Sequence, residues 1–189
     1  MTNSSDTPRF RRFKPDEMTP EQKQVVDKIA GGPRGVVRGP FLALLHSPTI
    51  ADCFQALGEH IRFKASVPFK LIELSVLLVA RHWTAQFEWY AHRKHAINAG
   101  LNPAIADAIG RGERPTEMDG EETTVYEFAK TAIETGNVTD QQFAAVEKLF
   151  GQRGLADLLG TIGYYCAVAI VLNVDRYPLP EDGVPLKPL

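Results

Sequence analysis

Helix start and stop signals recur along the chain, and they restrict its fold more than any other feature. A Ser, Thr or Asn directly before Pro is typical of an N-cap residue followed by proline in the first helical turn. This pattern occurs at Thr19–Pro20, Ser47–Pro48 and Asn102–Pro103. Thr139 precedes a further helical stretch, and Gly100 and Gly136 stand where helices are expected to end. The chain is therefore predicted to be a series of helices.

Apolar residues between these signals recur at intervals of three and four, which is the spacing of one helix face. The predicted stripes are Ile50, Phe54, Leu57 and Ile61 in one helix, and Phe128, Ala129 and Ala132 in another. No stretch alternates convincingly with period two. The nearest, Gly35–Leu45, fits equally well as a loop followed by a helix. The predicted fold class is all-α, with about seven or eight helices.

Length and composition favour a single domain. With 189 residues, 44% hydrophobic and 23% charged, the chain can bury one core. We divide it into an N-terminal arm (1–20), a helical domain (21–175) and a Pro-rich C-terminal tail (176–189). The stretch Lys70–Ala80 is apolar almost all round, which indicates burial on several sides. Such a helix suits an oligomer interface as much as a monomer core.

The charge pattern gives no general case for a nucleic-acid or membrane partner, because the formal net charge is −2 at pH 7. The basic, aromatic segment Arg9–Lys14 could touch RNA or DNA, but packing against a neighbouring subunit is favoured. The N-terminus lacks the apolar region of a secretory signal, and the apolar run Tyr164–Leu172 is too short to span a bilayer. A soluble, cytoplasmic protein is predicted.

The stretch Arg81–Ala96 holds three of the five histidines and is the main candidate for a functional site. Glu88 and His92 are four residues apart, so on a helix they share one face, one turn apart. A carboxylate beside an imidazole can orient its proton, which makes the pair a candidate general acid and base. The alternative is an ordinary solvated helix surface.

Metal and thiol sites are less favoured. His82, Glu88, His92 and His95 are ligand types, but His82 and Glu88 face different ways on a continuous helix. Only a break near Trp83–Thr84 would let His82 join the others. The two cysteines, Cys53 and Cys166, form no CxxC pair. They are predicted to be small buried hydrophobic residues in a reducing compartment.

The segment "IELSVLLVARHWTAQFEWYAHRKHAINAGLNPAIADAI" resembles the carboxymuconolactone decarboxylase family, whose superfamily includes the alkylhydroperoxidase D-type peroxidases. The resemblance covers about residues 40–130 well and the C-terminal helix loosely. Set on the peroxidase motif, the glutamate is Glu73, the histidine is His92, and the two cysteine positions fall on Ala85 and Glu88. This CxxC pair is missing, so the resemblance implies that dithiol peroxidase chemistry is lost. The decarboxylase branch has a glutamate where Glu88 stands.

The resemblance implies an alkylhydroperoxidase D-like helical fold with Glu73, Glu88 and His92 as catalytic residues. Glu73 and Glu88 would be about 22 Å apart on one straight helix, so a shared site requires a break near His82–Thr84. The chain combines Glu73, as in the peroxidase branch, with Glu88, as in the decarboxylase branch. An assembly of identical subunits, a trimer or a hexamer, is also implied.

The implied activity is that of a cofactor-independent decarboxylase or isomerase-type lyase. It would act by proton transfer on a small carboxylated lactone or aromatic-derived ring compound, with no metal or organic cofactor. Arg81 and Arg62 are candidates for binding the substrate carboxylate, because a guanidinium binds carboxylates through two hydrogen bonds. The alternative at each position is an ordinary surface arginine. His82 and Tyr165 are candidate pocket linings. The alternatives are a thiol-independent remnant of a peroxidase and a non-catalytic oligomeric binding protein.

Overall fold

The computed structural model describes residues 7–189, and all regular structure in that range is helical. A short 3₁₀ turn at Pro15–Glu17 precedes eight α-helices. They are α1 (Pro20–Gly31), α2 (Phe41–Leu44), α3 (Pro48–Phe63), α4 (Phe69–His82), α5 (Gln86–Asn98), α6 (Pro103–Gly110), α7 (Gly120–Thr135) and α8 (Asp140–Asp175). The all-α class and the helix number are confirmed.

The predicted start signals lie at the starts of helices. The side chains of Thr19, Asn102 and Thr139 each accept a hydrogen bond from a backbone N–H in the first turn of α1, α6 and α8. Ser47 is the residue before Pro48 of α3, but its side chain makes no capping hydrogen bond. Gly136 ends α7 in the left-handed conformation, with φ of 71°.

Helix α4 is the centre of the core. Every residue from Leu71 to Arg81 is buried, and α5, α7 and α8 pack around the helix. The apolar character of Lys70–Ala80 is therefore satisfied within one chain, which is the monomer-core alternative of the prediction. Burying this helix removes most of its apolar surface from water. This stabilises the fold by roughly 25 cal/mol for each Å² of apolar surface buried.

The predicted stripe on α3 is half wrong, because Phe54 and Ile61 pack in the core but Ile50 and Leu57 do not. The stripe on α7 is largely confirmed. Ile50 and Leu57 are exposed, at 46% and 45%. The buried residues of α3 are Ala51, Gln55, Gly58 and Ile61. Small side chains on this face let α3 approach α1, α2 and α8 closely, which an apolar-spacing rule does not detect. On α7, Phe128 and Ala129 are fully buried.

Helix α8 is bent at Gly151, whose φ is 65°, and it extends well beyond the apolar run Tyr164–Leu172. By length and composition alone it contains a window that would suffice to cross a membrane, and half of that window is buried in the fold. Its buried side packs against α3, α4 and α7. Core helices of this kind meet the same length and composition test.

The segment Arg9–Lys14 packs against its own chain, and its contact with a neighbouring subunit stays a prediction. The Arg9 and Phe10 amides donate to the backbone and side chain of Asp175, at 2.9 and 3.0 Å. Arg12 forms an ion pair of 2.6 Å with the same carboxylate. Asp175 is fully buried, and a buried charge needs such a partner. Residues 1–6 of the predicted arm lie outside the described residues.

The C-terminal tail lies along the start of α5. The Gln86 side chain exchanges two hydrogen bonds with the Leu186 backbone, at 2.8 and 3.1 Å. Leu186 itself is buried. The tail is thus held by backbone hydrogen bonds and an apolar anchor.

Candidate active site

The junction between α4 and α5 sets the geometry of the site. Helix α4 ends at His82, and Thr84 adopts the left-handed conformation, with φ of 47°. The Thr84 and Ala85 amides donate to Arg81 O and Ala80 O, at 3.1 and 2.8 Å, which is the Schellman pattern. Threonine is unusual there, because a β-branched side chain opposes positive φ. A 2.7 Å hydrogen bond from Arg81 to the Thr84 hydroxyl stabilises this left-handed conformation. The predicted break between the two helices is confirmed.

The break folds α5 back along α4 and brings Glu73 to His92. Glu73 Oε2 lies 2.7 Å from His92 Nδ1. Glu73 is fully buried, and the His92 side chain is 12% exposed. A carboxylate only accepts hydrogen bonds, so we assign the proton of this contact to Nδ1. Nε2 is then the ring nitrogen left to exchange a proton with a ligand.

Glu88 is buried but makes no hydrogen bond to His92. It is 1% exposed, and neither carboxylate oxygen has a hydrogen-bond partner among the described residues. Burial, and then the negative charge of Glu73, raise the pKa of Glu88 well above its ordinary value. The predicted Glu88–His92 pairing is wrong, because the carboxylate of Glu73 on the neighbouring helix reaches the imidazole instead.

His92 forms part of the wall of a cavity of about 70 Å³, here called the His92 cavity. The loop 32–40 and helices α2, α3, α5 and α8 enclose it. Its lining consists of Arg34, Arg38, Gly39, Pro40, Phe41, Arg62, Phe87, Ala91, His92, His95, Tyr164, Tyr165 and Val168. The predicted site residues Arg62, His92 and Tyr165 are therefore brought together, whereas Glu73 and Glu88 lie behind this wall.

Tyr165 packs edge-on against the His92 ring, with 4.7 Å between ring centroids. Burial, and then the charge of Glu73, raise the pKa of Tyr165 well above its ordinary value. The hydroxyl is thus kept neutral and can donate or accept a hydrogen bond at the edge of the cavity.

Arg81 and His82 are not brought together with His92 and lie away from the His92 cavity. They line a second cavity, of about 150 Å³, beside α6, α7 and the C-terminal tail. Arg81 is buried and donates to Lys187 O and Gly110 O, at 2.9 and 3.3 Å. Its guanidinium thus secures the tail to α4. His82 is at the exposed end of α4, where the helix has already turned away from His92.

Three basic residues of the cavity, Arg34, Arg38 and His95, were not assigned to the substrate by the sequence. Arg34 and Arg38 come from the loop 32–40, which the sequence treats only as a connection. His95 was considered as a metal ligand, but its Nε2 lies 3.4 Å from a nitrogen of Arg62. Burial, and then the charge of His92, lower the pKa of His95, which favours its neutral form. The sequence signal that could have indicated Arg34 and Arg38 is their spacing of four residues in a Gly-rich loop.

Within residues 7–189, no group of three His, Cys, Asp or Glu side chains is arranged to hold a metal ion. The cysteines are also placed differently from the prediction. Cys53 is exposed on α3, and Cys166 is partly buried on α8. Neither is a fully buried core residue.

Comparison with known proteins gives a clear result for structure only. No protein-family model and no curated protein matches the sequence. A peroxidase-related protein of uncharacterized function from Ralstonia eutropha JMP134, with an alkylhydroperoxidase AhpD core, superimposes with a TM-score of 0.77. The match covers 93% of both chains at 15% sequence identity. This chain has the alkylhydroperoxidase D-like fold.

Two further solved structures share the alkylhydroperoxidase D-like fold. A peroxidase-related protein from Silicibacter sp. TM1040 matches with a TM-score of 0.69 at 12% identity, over 92% of this chain and 91% of that chain. A variant of the debrominase Bmp8, solved in complex with 2,3,4-tribromopyrrole, matches with a TM-score of 0.70 at 13% identity. That match covers 95% of this chain and 94% of the debrominase. The fold carries more than one chemistry, so activity has to be argued from the site.

Proposed function

We propose that the protein is an acid–base enzyme of the decarboxylase or isomerase type. Its substrate would be a small carboxylated lactone or aromatic-derived ring compound. The observation that carries this proposal is the 2.7 Å hydrogen bond between fully buried Glu73 and His92, whose ring borders the cavity. A buried carboxylate on one imidazole nitrogen fixes the tautomer and stabilises the imidazolium, as a general acid–base catalyst requires.

The reaction needs a carbanion that a neighbouring carbonyl can delocalise. In a decarboxylation, the bond between carbon and the leaving carboxylate breaks, CO₂ departs and the electron pair enters an enolate. His92 Nε2 then delivers its proton to carbon and regains one from water. In an isomerisation, Nε2 takes a proton from one carbon and returns it to another. Glu73 acts through His92 in both cases, as a positioning residue.

Glu88 supports the same chemistry from behind the cavity wall. Its raised pKa favours the protonated, neutral form, so it does not place a second full negative charge beside Glu73. The Glu73 carboxylate is then free to stabilise a positive His92. Separating the protonation states of two nearby carboxyl groups is a common way to assign them different roles.

The proposed activity is tested by a substrate screen. The purified protein is expected to convert at least one member of a panel of carboxylated lactones, followed by released CO₂ and by ultraviolet absorbance. Glu121→Gln, at an exposed glutamate, is the matched control and should retain full turnover. His92→Gln should not turn over the same compound. Equal turnover by wild type and His92→Gln would contradict the proposal.

A peroxidase remnant is the first alternative, and we expect no thiol-dependent peroxidase activity. Ala85 and Glu88 stand where the resemblance places the two thiols. Burial raises the pKa of Cys166, so little of the reactive thiolate forms. The measurement is consumption of hydrogen peroxide or an alkyl hydroperoxide in the presence of dithiothreitol. Peroxide consumption that persists in both Cys53→Ser and Cys166→Ser would instead support a thiol-independent remnant of a peroxidase.

A non-catalytic binding protein is the second alternative. The small volume of the His92 cavity and the position of both glutamates behind its wall favour this reading. Ligand binding without turnover in the lactone screen would support it.

Assembly into a homo-oligomer, a trimer or hexamer, remains part of the proposal in either case. It is supported by an exposed apolar face of α8, formed by Leu159, Ile170 and Val174.

A further inference from the structure

One wall of the His92 cavity carries an excess of positive charge. Arg34 and Arg38 from the loop 32–40 and Arg62 from α3 line it, and these three residues are here called the arginine wall. No acidic side chain is among the residues that line this cavity. Among the described residues, no carboxylate forms an ion pair with any of the three.

Several donors of the arginine wall are buried and unused. Arg34 Nε and Nη2 and Arg62 Nε are shielded from solvent without a hydrogen-bond acceptor. The guanidinium carbons of Arg34 and Arg62 lie 5.1 and 5.2 Å from the ring centroids of Phe41 and Phe63. An unsatisfied buried donor is unfavourable, and for a charged group the penalty is larger. An anion in the cavity would satisfy these donors.

The position of Arg34 depends on a glycine in the neighbouring helix. A Cβ at Gly58 of α3 would lie only 2.2 Å from Arg34 Nη2 and 2.2 Å from the Tyr164 hydroxyl. No side chain larger than hydrogen fits there without moving Arg34 or the buried Tyr164 ring. The guanidinium therefore occupies a closely fitted space, unlike a freely mobile surface arginine.

The opposite wall does not neutralise this charge. It consists of His92, His95 and two tyrosines. The pKa of His95 is lowered by burial and by His92, so His95 is favoured as a neutral acceptor for Arg62. Glu73 does not line the cavity and is hydrogen-bonded to His92 from behind this wall. A ligand with a single carboxylate would leave most of the arginine charge without a counter-charge.

We propose that Arg34, Arg38 and Arg62 form an anion-binding subsite for a ligand that carries more than one negative charge, either two carboxylates or a phosphate group. The role of this subsite in substrate binding rests on the proposed function, because the bound anion would hold the reacting carbon beside His92. Anion binding itself does not require turnover. Arg34 and Arg38 then determine specificity, and Arg81 does not.

The test is isothermal titration of the intact protein with malonate, inorganic phosphate and acetate at low and near-physiological salt. Malonate and phosphate are expected to bind at least about tenfold more tightly than acetate, because they engage more than one guanidinium. Arg38→Gln is the first variant, because Arg38 is exposed and its loss should not impair folding. Arg34→Gln is the second. Each should weaken malonate and phosphate binding by roughly tenfold or more.

The matched control is Arg153→Gln, at an exposed arginine of α8 outside the cavity, which should bind like the wild type. His92→Gln should also keep its affinity for phosphate, since the arginine wall is intact. The inference is overturned if malonate and phosphate bind no more tightly than acetate, or if neither cavity arginine variant weakens them more than Arg153→Gln does. Binding as expected with no lactone turnover would reject the proposed function and leave the anion subsite standing. Turnover that is indifferent to Arg34 and Arg38 would leave the proposed function standing and reject the role of the arginine wall in holding the substrate.

Discussion

Replacing Glu73 by glutamine is expected to lower kcat by roughly 100- to 10,000-fold, the range in which a positioned acid–base group contributes. The fully buried carboxylate makes a 2.7 Å contact with His92 Nδ1. A glutamine amide has nearly the same shape but no charge, and it can present an N–H to Nδ1 and select the other tautomer. The imidazolium would then have no counter-charge. His92→Gln is expected to lose at least as much activity, because it removes the proton carrier itself.

The measurement is steady-state kinetics on a compound that the lactone screen identifies as a substrate. For Glu73→Gln the loss should fall on kcat with KM nearly unchanged, because Glu73 does not line the cavity. His46→Gln, at an exposed histidine far along the chain from this pair, is the control and should behave like the wild type. If Glu73→Gln keeps wild-type kcat while the protein turns over its substrate, the Glu73–His92 couple is not the catalytic unit.

Replacing Glu88 by methionine is expected to stabilise the folded protein by about 1–3 kcal/mol near neutral pH, the cost of a buried polar group without a partner. Methionine fills a similar volume with an apolar side chain. Both Glu88 oxygens are buried and lack hydrogen-bond partners. Because methionine is also neutral, the same substitution keeps a second negative charge away from Glu73, and turnover should stay near the wild-type level.

The pH dependence of stability gives an independent measurement at Glu88. Its pKa is raised in the folded protein and ordinary, near 4.5, in the unfolded chain. As pH rises through that unfolded value, the unfolded chain releases this proton while the folded protein retains it. The Glu88 contribution to stability is therefore greatest below the unfolded pKa. It is lost at up to about 1.4 kcal/mol per pH unit until the folded pKa is reached.

Urea unfolding between about pH 5 and pH 8 measures this slope. Over that range Glu88→Met should lose less stability with rising pH than the wild type, whereas Glu121→Gln should follow the wild-type slope. Equal slopes for wild type and Glu88→Met would show that Glu88 is not held in its neutral form. A Glu88→Met protein that is less stable at every pH would show that the carboxyl group has a partner in solution.

The successful predictions came from local chemistry. Thr19, Asn102 and Thr139 cap helices because a short polar side chain satisfies free backbone N–H groups nearby in sequence. The resemblance motif included Glu73 and His92, and a helix break was required for them to meet. The failures involve distant contacts. The α3 stripe failed because Gly58 and Ala51 pack closely where larger side chains were expected.

The misassigned site residues show the same limit. Arg81 looked like a carboxylate ligand, but the tail returning from the far end of the sequence takes its hydrogen bonds at Lys187 O. Arg34 and Arg38 were part of an unremarked loop until the fold placed that loop opposite α5 and α8. Glu88 and His92 share a face of α5. The imidazole nevertheless bonds to Glu73, because α4 packs closely against α5.

The sequence by itself determined the all-helical class, the starts of four helices and the residue types from which the site is made. Capping, helical periodicity and the Glu73, Glu88 and His92 motif depend on neighbours within a few turns of the chain. The tertiary structure alone decided that Glu73 is the partner of His92 and that Glu88 has none. It also decided that three arginines face one cavity. Burial and charge pairing depend on residues far apart in the chain, so these features exist only when the helices are packed.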